Sequence, residues 1–131
     1  MSDLEKIDVP YFIQLKSNSD SRGEIYFSEY GELPFEPVRF FFLRPGSLLS
    51  ARGEHGHHTC WQLIFPVDDS IIIISGPEGK ESQFNLPLGS ALVIPPKNWC
   101  KVLFSSKNSV AVILASHEYD PEDYFYSQPK L

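Results

Sequence analysis

Residues 61–76 read WQLIFPVDDSIIIISG, and this stretch decides the fold. Two apolar runs, Trp61–Val67 and Ser70–Ser75, flank the pair Asp68-Asp69. The Ile71–Ile74 run is rich in β-branched residues and too short for a good helix, so it reads as a buried strand. Paired aspartates between two such runs suit a chain reversal. The same pattern repeats outward in both directions. Further strands are expected at Tyr11–Lys16, Glu24–Glu29, Val38–Arg44, Ser82–Leu86, Ala91–Ile94, Lys101–Phe104 and Val110–Ala115. Between them lie Ser17–Gly23, Gly31–Pro37, Pro45–Gly53, Gly76–Gly79, Pro87–Gly89, Pro95–Asn98 and Ser105–Ser109, each holding Gly, Pro, Asn, Asp or Ser where a reversal needs them. One helix signal comes late: Asp120 as N-cap, Pro121 in the first turn, then Glu122 and Asp123, leading into Tyr124–Tyr126. Many short strands with one small C-terminal helix make an all-β sandwich or barrel.

The chain has 131 residues, which suits a single domain over residues 1–131 with a core of its own. A formal net charge of −6 argues against a nucleic-acid partner. It leaves room for a small anionic ligand, because a few arginines in one pocket set the local field. Two cysteines, Cys60 and Cys100, make no disulfide framework. The opening residues Met1–Val9 are acidic and lack an apolar signal core, and no stretch approaches a membrane span. A reducing cytoplasm is the expected setting.

The chemistry concentrates in Arg52-Gly53-Glu54-His55-Gly56-His57-His58. On a strand, His55 and His57 share a face while His58 points away. Imidazole titrates near neutrality and both takes and gives protons, so two rings on one inner face beside Arg52 point to proton transfer. His58 and His117 read as exposed residues without a role. A zinc site of His55, His57 and Cys100 is the alternative for this cluster, since thiolate and imidazole are good zinc ligands. The expected reading has no metal and no cofactor.

Several segments in order carry a family resemblance: Asp20-Ser21-Arg22-Gly23-Glu24-Ile25, Leu33-Pro34-Phe35 followed by Arg39, Arg52-Gly53-x-His55-x-His57 with Gln62, Ile94-Pro95-Pro96 with Trp99, Leu114-Ala115-Ser116, Tyr119-Asp120 and Asp123-Tyr124. From about Ser19 to Tyr124 the chain resembles the dTDP-4-keto-6-deoxyhexose 3,4-ketoisomerases, the WxcM-like branch of the cupin superfamily. The resemblance implies a cupin-type jelly-roll β-barrel, a homodimer with exchanged strands, and no metal. It also implies movement of a ketone from C4 to C3 of a dTDP-linked 6-deoxy sugar, feeding surface polysaccharide synthesis. The metal-binding cupins place a Glu where this chain has Gln62 and a second-motif His where it has Cys100, both poorer matches to that ligand set.

The resemblance makes His55 and His57 catalytic. His57 is taken as the base and His55 as the partner acid, an order the sequence leaves open. Arg52, Gln62 or a protonated histidine would donate to the enediolate oxygen, and Arg22 and Arg39 would hold the pyrophosphate by forked donors. Arg22 and Arg39 read equally as surface ion-pair residues. Trp99 reads either as a flat wall for the base or sugar or as plain core. In an unbroken strand Gln62 has parity opposite to His57, so it joins the site only if the chain turns or bulges near Thr59 and Cys60. Phe40, Phe41 and Phe42 are read as packing, and they stand where relatives often carry tyrosines. That departure keeps a second reading open, a nucleotide-sugar-binding protein without turnover, beside a third, a metal-dependent cupin enzyme.

Overall fold

The structure, a computed structural model, describes residues 8–46 and 51–126. Its strands run β1 (Tyr11–Gln14), β2 (Lys16–Asp20), β3 (Gly23–Phe27), β4 (Arg39–Leu43), β5 (Ala51–His57), β6 (Gln62–Pro66), β7 (Ile71–Gly76), β8 (Ser82–Leu86), β9 (Ser90–Ile94), β10 (Trp99–Phe104), β11 (Ala111–Ala115) and β12 (Tyr124–Phe125). One five-stranded sheet has the spatial order β1-β9-β6-β11-β4 and the other β12-β5-β10-β7-β8, with β2 and β3 paired as a separate hairpin. Pairing is antiparallel throughout these ladders. Consecutive strands such as β5 and β6, and β6 and β7, fall in different sheets. This is the two-sheet jelly roll of the cupins.

Alternating side chains build the core between the sheets. Ile71 and Ile73 are fully buried while Ile72 and Ile74 are half-buried, so the isoleucine run turns every second side chain inward. Val102 and Phe104 join them from the neighbouring strand β10, and Ile64, Leu92, Ile94 and Ile113 from the facing sheet. Each such buried side chain contributes roughly 1.5–3 kcal/mol relative to exposure. A second cluster, Leu63, Ala91 and Val93, occupies the outer face of the first sheet, where Leu33, Phe35 and Trp61 cover it.

Three expectations about the elements are corrected. Residues 17–23 are not simply a separator: Lys16–Asp20 pairs with Gly23–Phe27 as a hairpin. The residues of β2 are polar and solvent-exposed throughout, so there was no apolar alternation to read. Residues 51–53 likewise belong to a strand, β5, and residues 47–50 of that expected separator lie outside the described residues. The late helix is one 3-10 turn, Pro121–Asp123, capped as expected by Asp120, whose carboxylate accepts from Glu122 N at 3.0 Å. Tyr124 and Phe125 then leave the helical path and pair with His57 and Gly56.

Gly56 is what lets that last strand approach. A Cβ at position 56 would collide with the Phe125 ring and lie 2.6 Å from the Asn98 carbonyl oxygen. Gly56→Ala therefore forces β12 outward. We expect it to lower stability by about 1–3 kcal/mol, as overpacking does, and to move the Tyr124 ring resonances. Chemical denaturation with aromatic NMR checks this; an unchanged Tyr124 environment would contradict it.

Candidate active site

The two histidines are aimed by an irregularity in β5. The ladder between β10 and β5 shifts register between Cys100 and Lys101, which pair with His55 and Gly53, so Glu54 is the extra residue of a bulge. Gly53 (φ 91°) and Glu54 (φ 53°) take the left-handed conformations that the bulge requires. The bend brings His55 Nδ1 to 2.6 Å from the Gly53 carbonyl oxygen. A carbonyl only accepts, so Nδ1 carries the hydrogen and Nε2 is the free nitrogen of the neutral ring.

His55 and His57 lie edge to face with ring centroids 5.2 Å apart, as their shared parity predicts. Tyr124 packs on both, at 4.6 Å from His55 and 4.3 Å from His57. A cavity of about 540 Å³ opens over them, walled by Arg39, Phe41, Arg52, His55, Tyr124 and Tyr126. His55 forms its surface and His57, 6% exposed, stands directly behind. Both nitrogens of His57 are buried without a hydrogen-bond partner, as is Arg39 Nε. Buried donors and acceptors are normally satisfied, because leaving one unpaired costs about 1–3 kcal/mol. His57 Nδ1 faces a carboxylate 3.4 Å away, so His57 Nε2 and Arg39 Nε are the two polar atoms left here for a ligand or a reaction.

Arg39 opens β4 with its guanidinium carbon 5.0 Å from the centre of the Phe41 ring and 5.9 Å from that of Tyr119. The Arg39–Phe41–Leu43 face of β4 points into the cavity. Phe40 and Phe42 point outward and are 71% and 59% exposed, so of the three phenylalanines only Phe41 packs inward. Gln62 reaches the interior because the chain turns at residues 58–60 and crosses to the other sheet, where Gln62 starts β6. There it shares a small inner pocket with His55 and Cys100.

Two expected site residues are not brought to the histidines. Arg22 sits at the exposed tip of the β2–β3 hairpin, its Nη2 paired with Asp20 Oδ2 at 2.6 Å. Trp99 is buried on the face of β10 opposite to Cys100, between Gly56 and Gly76 of the neighbouring strands, and its indole nitrogen has no partner. It is core, and the aromatic wall of the cavity comes from Tyr124 and Tyr126 instead. His58 is exposed, as is His117, which touches Ser116 Oγ at 2.7 Å.

The residue that sequence reading left without a role is Asp123. Its Oδ2 lies 3.4 Å from His57 Nδ1, and its side chain is 11% exposed. Oδ1 accepts from Thr59 N at 2.9 Å and Thr59 Oγ1 at 2.7 Å, and Oδ2 accepts from Cys60 N at 3.2 Å. Tyr124 and Tyr126 share a face by their spacing of two, whereas Asp123, of opposite parity and in the 3-10 turn, carried no such sign.

Burial pushes the His55 imidazole down, with the Gly53 hydrogen bond working against it and Arg39 and Arg52 adding to it. Burial first, and then His55, push His57 down to about 4, with Asp123 opposing and Arg39 adding. Burial works to raise the Asp123 carboxyl, but the bonds from Thr59 and Cys60 outweigh it and hold the group below its usual range. At neutral pH the site thus holds two neutral imidazoles and one carboxylate. Burial raises the Cys100 thiol to about 12, so it stays protonated. Among the described residues no three His, Cys, Asp or Glu side chains converge to hold a metal ion, so the His55, His57 and Cys100 set is not assembled.

The matching family model is that described as FdtA: WxcM-like, C-terminal, and it covers residues 8–130. The cupin barrel with a histidine-lined cavity defines the class, and the chain belongs to this WxcM-like family. A curated relative, TDP-4-oxo-6-deoxy-alpha-D-glucose-3,4-oxoisomerase of Aneurinibacillus thermoaerophilus, is 28% identical over 115 residues, covering 86% of this chain and 82% of the relative. The sugar 3,4-ketoisomerase QdtA of Thermoanaerobacterium thermosaccharolyticum, solved with TDP, superposes with a TM-score of 0.83 at 24% identity over 90% of this chain and 88% of its own. A histidine-to-asparagine mutant of the same enzyme, solved with TDP-4-keto-6-deoxyglucose, gives 0.83 at 23% identity over 90% and 87%.

The lowered His57 has a consequence for stability. An unfolded histidine takes up its proton near 6.5, whereas the folded ring does so near about 4. Between those values the unfolded chain binds more protons, so stability is complete above about pH 6.5 and falls as pH drops toward 4, by on the order of 3 kcal/mol. His57→Asn is expected to flatten that part of the curve of Tm against pH. An unaltered slope in the variant would show that His57 is not the group responsible.

Proposed function

We propose that this chain is a cytoplasmic isomerase that moves a ketone between C4 and C3 of a dTDP-linked 4-keto-6-deoxyhexose, in deoxysugar and surface polysaccharide biosynthesis. One observation carries the reading: His57 is buried beside His55 with its Nε2 unsatisfied, at a cavity that also presents Arg39 and Arg52. Membership of the WxcM-like family and likeness to a curated 3,4-oxoisomerase support the same chemistry.

The reaction is a proton transfer with internal electron movement. Loss of the C3 hydrogen as a proton leaves its electron pair to form the C3–C4 double bond of an enediolate. Protonation at C4 then returns the ketone at C3, as the C3 hydroxyl gives up its proton and the C4 oxygen takes one up to become the hydroxyl of the product. A neutral imidazole takes the first proton and an imidazolium delivers the last, which together are commonly worth about 10²–10⁴-fold in rate. His57 is the base and His55 its partner. Ligand entry has to shift the Tyr124 or His55 ring, so that a ring nitrogen of His57 comes within about 3 Å of the reacting carbon's hydrogen.

Arg52 and Gln62 supply donors for the enediolate oxygens, and Arg39 supplies a cation for the pyrophosphate. The reaction needs no redox partner and no cofactor. The protein acts as a homodimer with exchanged strands. The outward Phe40 and Phe42 on β4, with Val38 beside them, form an apolar surface that such an assembly would cover. Arg22 enters through that exchange, which would carry the β2–β3 hairpin to the other subunit's cavity.

The second reading, a nucleotide-sugar-binding protein without turnover, is favoured by the phenyl rings of Phe40–Phe42, which lack hydroxyl groups. An NMR time course with dTDP-4-keto-6-deoxyglucose in deuterated buffer separates the two. The isomerase reading expects loss of the C3 signal and deuterium at C4 of a 3-keto product. His57→Asn should abolish both, whereas His55→Asn should keep some C3 exchange while losing product. Tight dTDP binding without any ring exchange would establish the second reading.

A further inference from the structure

We infer that Asp123 is a positioning residue for His57: it holds the proton on Nδ1 and so keeps Nε2 as the basic nitrogen of the site. The inference rests on the isomerase reading above and adds to it a residue that never touches the sugar.

The geometry supports three linked steps. His57 Nδ1 faces Asp123 Oδ2 at 3.4 Å, and both side chains are largely sealed from water. A carboxylate has no hydrogen to give, so a neutral ring facing it does best with its hydrogen on the near nitrogen. Nε2 then carries the lone pair on the far side of the ring from Asp123. His55 reaches the same tautomer by a different route, through the Gly53 carbonyl. Each imidazole in the pair is therefore oriented by its own acceptor, one from the backbone and one from a side chain 66 positions further along the chain.

Asp123 is itself rigidly held. Thr59 and Cys60 present three donors to its two oxygens, which keeps it ionised and fixes its position against β5. The 3-10 turn Pro121–Asp123 and the Tyr124–His57 rung bring it there. The groups facing His57 are His55 on its own strand, Arg39 from β4, Asp123 from the turn and Tyr124 from β12. Of these, Asp123 is the negative charge. Burial, His55 and Arg39 all disfavour a proton on His57, and the carboxylate opposes them.

Replacing the acid with its amide tests the tautomer. In Asp123→Asn the amide oxygen best stays with the two Thr59 donors, which turns the amide nitrogen toward His57. That nitrogen donates, so Nδ1 would have to accept and the hydrogen would move to Nε2, blocking the base. We expect kcat to fall about 10- to 1,000-fold with KM within about threefold of wild type. The acid limb of the kcat profile should move to lower pH, because the charge that raises the ring's affinity for protons is gone. Thr59→Val loosens the same turn and leaves the carboxylate beside His57, so its acid limb should stay in place.

Long-range 1H–15N spectra of the wild-type protein should show His57 protonated at Nδ1, a readout independent of any variant's folding. An Nε2–H tautomer in wild type overturns the inference. So does a folded Asp123→Asn protein with an unmoved acid limb, or a Thr59→Val protein that reproduces its profile. If His57→Asn is inactive while Asp123→Asn behaves as wild type, this inference alone fails. If wild type exchanges no ring hydrogen, the isomerase reading itself fails.

Discussion

Two rungs of antiparallel ladder, Tyr124 to His57 and Phe125 to Gly56, hold the rest of the site in place. They are short for a strand, and backbone pairing of that length is marginal alone. What secures them is packing: Phe125 fills the space that Gly56 leaves open, and the Tyr124 ring packs at a tilt against both imidazoles. The same two rungs carry Asp123 to the edge of β5 and seal His57 from water. Without them the histidines would be solvated groups on a sheet edge, with ordinary acid–base behaviour.

Local conformation and site chemistry meet in β5. A regular strand would give His55 and His57 a shared face but would not fix either ring. The bulge at Gly53 and Glu54 folds the backbone carbonyl back onto His55, and the loss of regular pairing there is the cost of that aim. Glu54 pays it as a non-glycine residue in a left-handed conformation. The net negative chain thus builds a pocket lined by Arg39, Arg52 and Glu54, with the Asp123 carboxylate set beside His57.

Apolar alternation made most of the barrel legible, since Ile71 and Ile73 or Ile64 and Ile113 can sit in one place only. It failed where both faces of a strand are polar, as in β2. It also failed for Tyr124–Phe125, because a capped Asp120-Pro121 start describes one turn as well as it describes a helix. The His55–His57 pairing was readable from spacing of two. Asp123 was not, for its partner lies 66 positions away and its importance comes from contact across the fold. Gln62 shows the middle case: parity along one strand said it should face away, and only the crossing between sheets at residues 58–60 reverses that. Arginine and tryptophan suit ligand binding and core or surface roles equally, so residue type alone did not show that Trp99 packs in the core or that Arg22 lies away from this chain's own histidines.

Cys100 sits within the same inner pocket as His55 and Gln62, yet its sulfur is a sealed thiol that ionises only near about 12. Thiolate is the form that peroxides, alkylating agents and electrophilic metabolites attack. The thiol in that pocket therefore lies beside His55 in the protonated form, which such reagents attack slowly.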